Sequence, residues 1–140
     1  MLFTGTVPDY GKLGGTFAMF DSKSNTWDAY ENFISNQSII GLAYKDGKVF
    51  GGSSIWGGLG VNPSETTAKM FEFDVHTKES TVFSLHVPGL KHPQMIGELS
   101  FGPDGLYGAL PGDKIMKMPI VLLFSRWMQR QRKLKASAIV

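Results

Sequence analysis

Apolar and polar residues alternate in short runs along most of this chain, and the runs close on Gly, Pro, Asn or Asp. That pattern predicts strands, because a half-buried strand repeats every second residue whereas a helix repeats every 3.6. Thr16-Phe17-Ala18-Met19-Phe20-Asp21 is the first clear run, and the aromatic-rich Thr26–Asn32, with Trp27 and Tyr30, follows it. Ser38–Tyr44 and Lys48–Gly52 flank Lys45-Asp46-Gly47, and Asp-Gly between apolar runs is the strongest local hairpin signal. Lys69–Asp74, Thr81–Val87, Met95–Phe101 and Leu106–Ala109 complete the predicted strands, the last two joined by Gly102-Pro103-Asp104-Gly105. Helical periodicity emerges only after residue 119.

The runs recur in order. Thr16–Asp21 aligns with Lys69–Asp74 at a spacing of 53, which sets Ala18 and Phe20 over Phe71 and Phe73 and Asp over Asp. Ile40–Gly51 aligns with Ile96–Gly108 at 57 or 58: Leu42 over Leu99, Tyr44 over Phe101, Asp46-Gly47 over Asp104-Gly105. Tyr10-Gly11-Lys12-Leu13-Gly14 and Trp56-Gly57-Gly58-Leu59-Gly60 share an aromatic-Gly-x-Leu-Gly pattern 46 residues apart. Lys114–Met118 suggests a third strand of the Asp-terminated kind, with Pro119 in place of the Asp. Units of roughly 50 residues with four short strands match the period of β-propeller blades. A β-sandwich also needs many short strands, but it gives no reason for strands and turns to recur in matching order.

The segments GTVPDYGKLGG, NQSIIGLAYKDGKVFGGSSIWGGLG and FGPDGLYGAL resemble bacterial β-propeller repeats of the broad NHL, kelch and SMP-30-like grouping, over about residues 1–118. The resemblance implies an all-β fold of antiparallel four-stranded blades: a partial blade at 1–14, blades at 15–66 and 67–118, and an incomplete ring. No WD40 Trp-Asp at its usual place and no kelch signature is present; Trp27-Asp28 lies inside a blade strand. SMP-30-like lactonases hold a metal with carboxylates and an Asn, and none of those ligands maps onto this chain.

Length and charge refine that expectation. The 140 residues bury a sizeable core, and 42% apolar with 19% charged residues excludes a disordered polyelectrolyte. The net charge of +2 is a sum of unlike parts: residues 1–113 hold seven bases against all twelve acids, while residues 114–140 hold seven bases and no acid. The acidic body offers no basic face, so nucleic acid is not an expected partner. Zero cysteine removes disulfides, thiolate nucleophiles and Cys-based zinc sites. No apolar run of 18 residues is present, and the N-terminus lacks the pattern of a signal peptide, so neither a spanning helix nor a secretion signal is expected.

Candidate chemistry is sparse. Gly57-Gly58-Leu59-Gly60 lacks the spacing and following helix of a phosphate loop, and Gly52-Ser53-Ser54-Ile55 lacks the second glycine of a nucleophile elbow. His76, His86 and His92 do not stand at metal-ligand spacing on a helix and read as solvent-facing. No catalytic, cofactor-binding or metal-binding residue is therefore assigned. Tyr10 and Trp56 are the candidate ligand-binding residues, as rings on equivalent loops. The rival account of both is packing, each ring filling a gap between blades.

The tail, residues 119–140, reads as a short basic amphipathic helix, with Leu123, Trp127 and Met128 near one face, or as a non-native end left by an altered reading frame or truncated gene. The expected function is a non-catalytic scaffold that binds a small molecule, a glycan or a protein. One alternative is a fragment of a propeller enzyme such as a lactonase or polysaccharide lyase; another is docking to a partner or membrane through the tail. Open blade edges predict self-association.

Overall fold

The computed structural model describes residues 1–112 and 114–119 in full, and beyond them the backbone of Lys133–Lys135 and Ser137–Ile139. Every regular element within those residues is a strand. In chain order they are β1 (Leu2–Gly5), β2 (Phe17–Asp21), β3 (Thr26–Tyr30), β4 (Ser38–Lys45), β5 (Lys48–Ser54), β6 (Met70–Asp74), β7 (Ser80–His86), β8 (Gly97–Phe101), β9 (Gly105–Leu110), β10 (Lys114–Pro119), β11 (Lys133–Lys135) and β12 (Ser137–Ile139). They form three sheets of order β1-β2-β3, β11-β7-β6-β5-β4 and β12-β10-β9-β8. Consecutive strands pair antiparallel within each sheet, and β11 alone adds in parallel, to β7.

The turns follow from local chemistry. Asp46 and Gly47 both take positive φ (51° and 79°), the two-residue turn whose twist matches the flanking strands. Asp21 Oδ1 accepts the Lys23 N–H at 2.8 Å, and Asp74 Oδ1 accepts the His76 N–H at 2.8 Å. Each turn then places a residue at positive φ before the next strand, Asn25 at 55° and Lys78 at 63°. The two turns are 53 residues apart and use the same closure.

Strand alternation distributes the core. On β6, Phe71 and Phe73 face the first sheet, whereas Met70 joins the cluster shared with the third. On β5, Val49 and Phe50 divide the same way. The middle sheet is therefore apolar on both faces. One cluster gathers Phe17, Met19, Ile34, Ile39, Val49, Phe71 and Phe73, with the Phe17 ring 5.1–5.3 Å from those of Phe33, Phe71 and Phe73. The other runs from Phe50, Met70, Phe83 and Leu85 to Ile96, Leu99, Leu106 and Met116. Ile39 and Leu42 reach the same face although three apart, because β4 carries a bulge between Ile39 and Gly41. A corresponding irregularity lies between Gly97 and Ser100 of β8, with Glu98 at φ 51°.

The junctions between neighbouring sheets are built alike. Ile39 N–H donates to Thr6 O at 3.1 Å in the first, and Ile96 N–H to Ser53 O at 2.8 Å in the second. Thr6 Oγ1 accepts from Thr16 N–H at 2.9 Å, and Ser53 Oγ from Lys69 N–H at 2.8 Å. Phe3 stacks on Tyr44 at 5.4 Å, and Phe50 meets Phe101 edge-on at 5.7 Å. A Cβ at Gly52 would overlap the Ile96 carbonyl oxygen, so the second junction closes only over a bare α-carbon.

Two expectations are affected. The span 15–66 takes β2 and β3 from the first sheet and β4 and β5 from the second, so the sequence units and the hydrogen-bonded sheets are phased differently. The tail is not helical at 133–135 and 137–139; these residues pair with β7 and β10 instead. The correction has a simple cause, since the outer edges of β7 and β10 present backbone donors and acceptors that a tail strand satisfies. Leu123, Trp127 and Met128 lie outside the described residues.

Candidate functional site

Because each sheet is a meander, its connections gather at two ends. The β2–β3, β4–β5, β6–β7 and β8–β9 turns lie at one, and the longer β1–β2, β3–β4, β5–β6 and β7–β8 connections lie at the other. Among the described residues, the four acid–base groups with displaced pKa values belong to the turn end. Hydrogen bonds from the Lys23, and from the Thr77 and His76, backbone N–H groups hold Asp21 and Asp74 below the usual value of 3.8. Asp104 is lowered by its hydrogen bonds from Lys117 and Tyr107, and Lys117 is raised by Asp104. All four groups are accounted for by turn closure and strand pairing.

The loop end holds Tyr10 and Trp56, and the structure brings their two loops into direct contact. Gly11 N–H donates to Leu59 O at 2.7 Å, and Gly58 N–H donates to Lys12 O at 2.9 Å. The Tyr10 ring lies against Gly60, where a Cβ would strike it. Tyr10 nevertheless stays 78% exposed and Trp56 52% exposed. Neither ring is buried between sheets; each projects from a loop that backbone hydrogen bonds hold in place. Trp56 is anchored further, for its carbonyl accepts Ser38 Oγ at 2.7 Å and its N–H donates to Ser54 Oγ at 3.1 Å. Its indole N–H points to Gln94 Oε1 at 3.4 Å.

Beneath the loops lies a buried polar strut. Gln37, Ser38 and Ser53 are fully buried. Gln37 Nε2 donates to Thr67 O at 3.1 Å, and the Ser53 hydroxyl bonds Gln37 Oε1 while accepting Lys69 N–H. Among the described residues no buried side-chain nitrogen or oxygen lacks a partner. Ser53 is thus a structural hydroxyl that ties β5 to the start of β6 and to the β3–β4 connection, with no histidine bonded to it.

Beside Tyr10 the β1–β2 loop and the β3–β4 connection enclose an open cleft of about 390 Å³, lined by polar Thr6, Asp9, Lys12, Thr16, Glu31 and Asn32 together with Val7, Pro8, Leu13 and Gly14. Asp9 and Lys12, three apart on the β1–β2 loop, pair at 3.6 Å, both well exposed. Asn32 Oδ1 is committed to the Asn36 N–H at 2.8 Å, which shapes the far wall. The cleft thus combines two carboxylates, a cation, two hydroxyls and one amide, beside the loop that carries Tyr10.

The Gly57–Gly60 segment sits in the β5–β6 connection and leads into no helix. His76, His86 and His92 are all exposed; His92 Nδ1 meets Thr67 Oγ1 at 2.8 Å, and His76 packs by Gly47 at the opposite end. Among the described residues no three His, Asp or Glu side chains gather as metal ligands would. Sequence reasoning missed Gln37, Glu31, Asn32 and Gln94. Each owes its place to a connection between sheets, and spacing along the chain carries no signal for that. Comparison with protein-family models, with curated proteins and with solved structures finds no match to this chain.

Proposed function

We propose that this chain is a run of consecutive β-propeller blades, without catalytic function, that binds a neutral polyhydroxylated ligand such as a glycan at its loop end. Support for the blades comes from the meander order of the sheets, the shared construction of the two junctions and the matching Asp-closed turns. The observation that carries the binding role is the hydrogen-bonded loop pair, which holds Tyr10 and Trp56 exposed on one end beside a polar cleft. Rings fixed by their backbone lose little freedom on binding, and their faces suit the apolar face of a pyranose. Carboxylate, amide and hydroxyl groups in the cleft suit hydroxyls, while the mixed signs of Asp9, Glu31 and Lys12 offer no single-sign field for an ion.

Calorimetric titration with a panel of neutral and charged oligosaccharides tests this. Saturable binding of a neutral member is expected, weakened about threefold to tenfold by Tyr10→Ala and by Trp56→Ala, as the loss of one aromatic contact implies. Absence of saturable heat across the panel, or variants that bind like the parent, overturns it.

A further inference from the structure

The two junctions differ in one respect, and the difference marks a second binding site. In the second junction the edge of β5 is covered by β4, from Ser38 opposite Ser54 to Lys45 opposite Lys48. In the third sheet β8 covers β9 in the same way. In the first sheet β1 pairs with β2 on one side, and no described strand pairs with its other side. An exposed run of backbone donors and acceptors is a template for a further strand.

The side chains repeat the contrast. Phe101, the counterpart of Tyr44, is half-buried, because β4 reaches over it: Lys45 Nζ stands 5.5 Å from its ring centre, and Ala43 packs against the same cluster. Tyr44 stacks on Phe3 as Phe101 meets Phe50, yet it is 54% exposed. In place of a covering strand lies an apolar cleft of about 280 Å³, between Met1, Leu2 and Phe3 on one side and Leu42, Ala43, Tyr44 and Val49 on the other.

We propose that β1 and this cleft take an extended peptide strand, antiparallel to β1, with the character of β4. That character is an Ile-Gly pair at the bulge, then Leu, then a small residue and a cation spaced to lie over Tyr44 as Ala43 and Lys45 lie over Phe101. Main-chain hydrogen bonds to Leu2–Gly5 supply affinity, and the cation over the tyrosine face supplies selectivity. The proposal rests on equating β1 with β5, which belongs to the blade reading above.

The test titrates the isotope-labelled full chain with the capped peptide SIIGLAYK, and with a form ending in Glu instead of Lys. Shift changes at Met1–Gly5 and Leu42–Tyr44 are expected, together with new exchange protection on β1 amides. Affinity should fall at least threefold for the Glu-ended peptide and for Tyr44→Ala. No change at millimolar peptide, changes confined to β3, or self-association through β1 that the peptide does not compete with overturns the proposal. The equation of β1 with β5 is read separately, from Thr6→Val and Ser53→Ala. Loss of exchange protection at Thr16 and at Lys69 respectively upholds the likeness of the junctions, whatever the peptide does.

Discussion

Asp21 and Asp74 close the β2–β3 and β6–β7 turns by accepting backbone N–H groups, and those bonds favour the ionised form. Both folded-state values lie below the usual 3.8, so the stabilisation is fully present above that pH and is lost as pH falls through the lowered values. The melting temperature should therefore drop as pH falls below the usual aspartate value of 3.8. Replacing both residues, Asp21→Asn with Asp74→Asn, keeps an oxygen acceptor in each turn and should flatten that drop; an unchanged profile would place the acid sensitivity elsewhere, at Asp104 first. At this scale the sequence was informative where chemistry is local. An Asp at a strand end, or Asp46-Gly47 between apolar runs, acts on residues two or three away, so neighbours in the chain suffice to read it. Gln37 acts through Thr67, thirty residues on, which no local pattern brings near.

At the scale of elements, the predicted strands and the strands of the structure coincide closely, because short apolar runs closed by turn residues mark strands whether one face is buried or, as in the middle sheet, both. Met70 to Asp74 illustrates it: one face carries Phe71 and Phe73, the other Met70 and the Glu72 carboxylate that pairs with Lys48. The bulges at Ile39–Gly41 and Gly97–Ser100 break strict alternation, and recurrence of Ile-Gly at 40–41 and 96–97 was their only trace in the sequence. The tail escaped prediction since Lys133–Lys135 and Ser137–Ile139 pair with edges formed far earlier in the chain, and pairing outweighs local preference. One tight demand on an element is the bare α-carbon of Gly52 under Ile96 O. Gly52→Ala must push two sheets apart, and denaturant unfolding should show a loss of about 1–3 kcal/mol, the range for an overpacked interior. A neutral result would mean that the junction is looser than its hydrogen bonds suggest.

For the whole molecule the middle sheet is the keystone, since both apolar clusters press on it and neither outer sheet touches more than one of them. Native-state hydrogen exchange should find the slowest amides in β5 and β6, which have strands on both sides and a core on each face. The fastest strand amides should be in β3, an edge that no described strand covers and whose residues are mostly exposed. Equal rates across all three sheets would deny this hierarchy. The like closure of the Asp21 and Asp74 turns was legible in the sequence, whereas the grouping of strands into sheets was not, because spacing along the chain does not mark which strands hydrogen-bond. Symmetry at the loop end is of a different kind. The loop carrying Tyr10 gives a donor at Gly11 and an acceptor at Lys12; the loop carrying Trp56 returns an acceptor at Leu59 and a donor at Gly58. Each loop thus gives one backbone hydrogen bond to the other and takes one from it. Among the described residues the third sheet, whose β9 and β10 are separated by three residues, adds no loop of this kind. Two aromatic loops thus make a single platform, and the stoichiometry of the proposed glycan complex should be one ligand per chain rather than one per sheet.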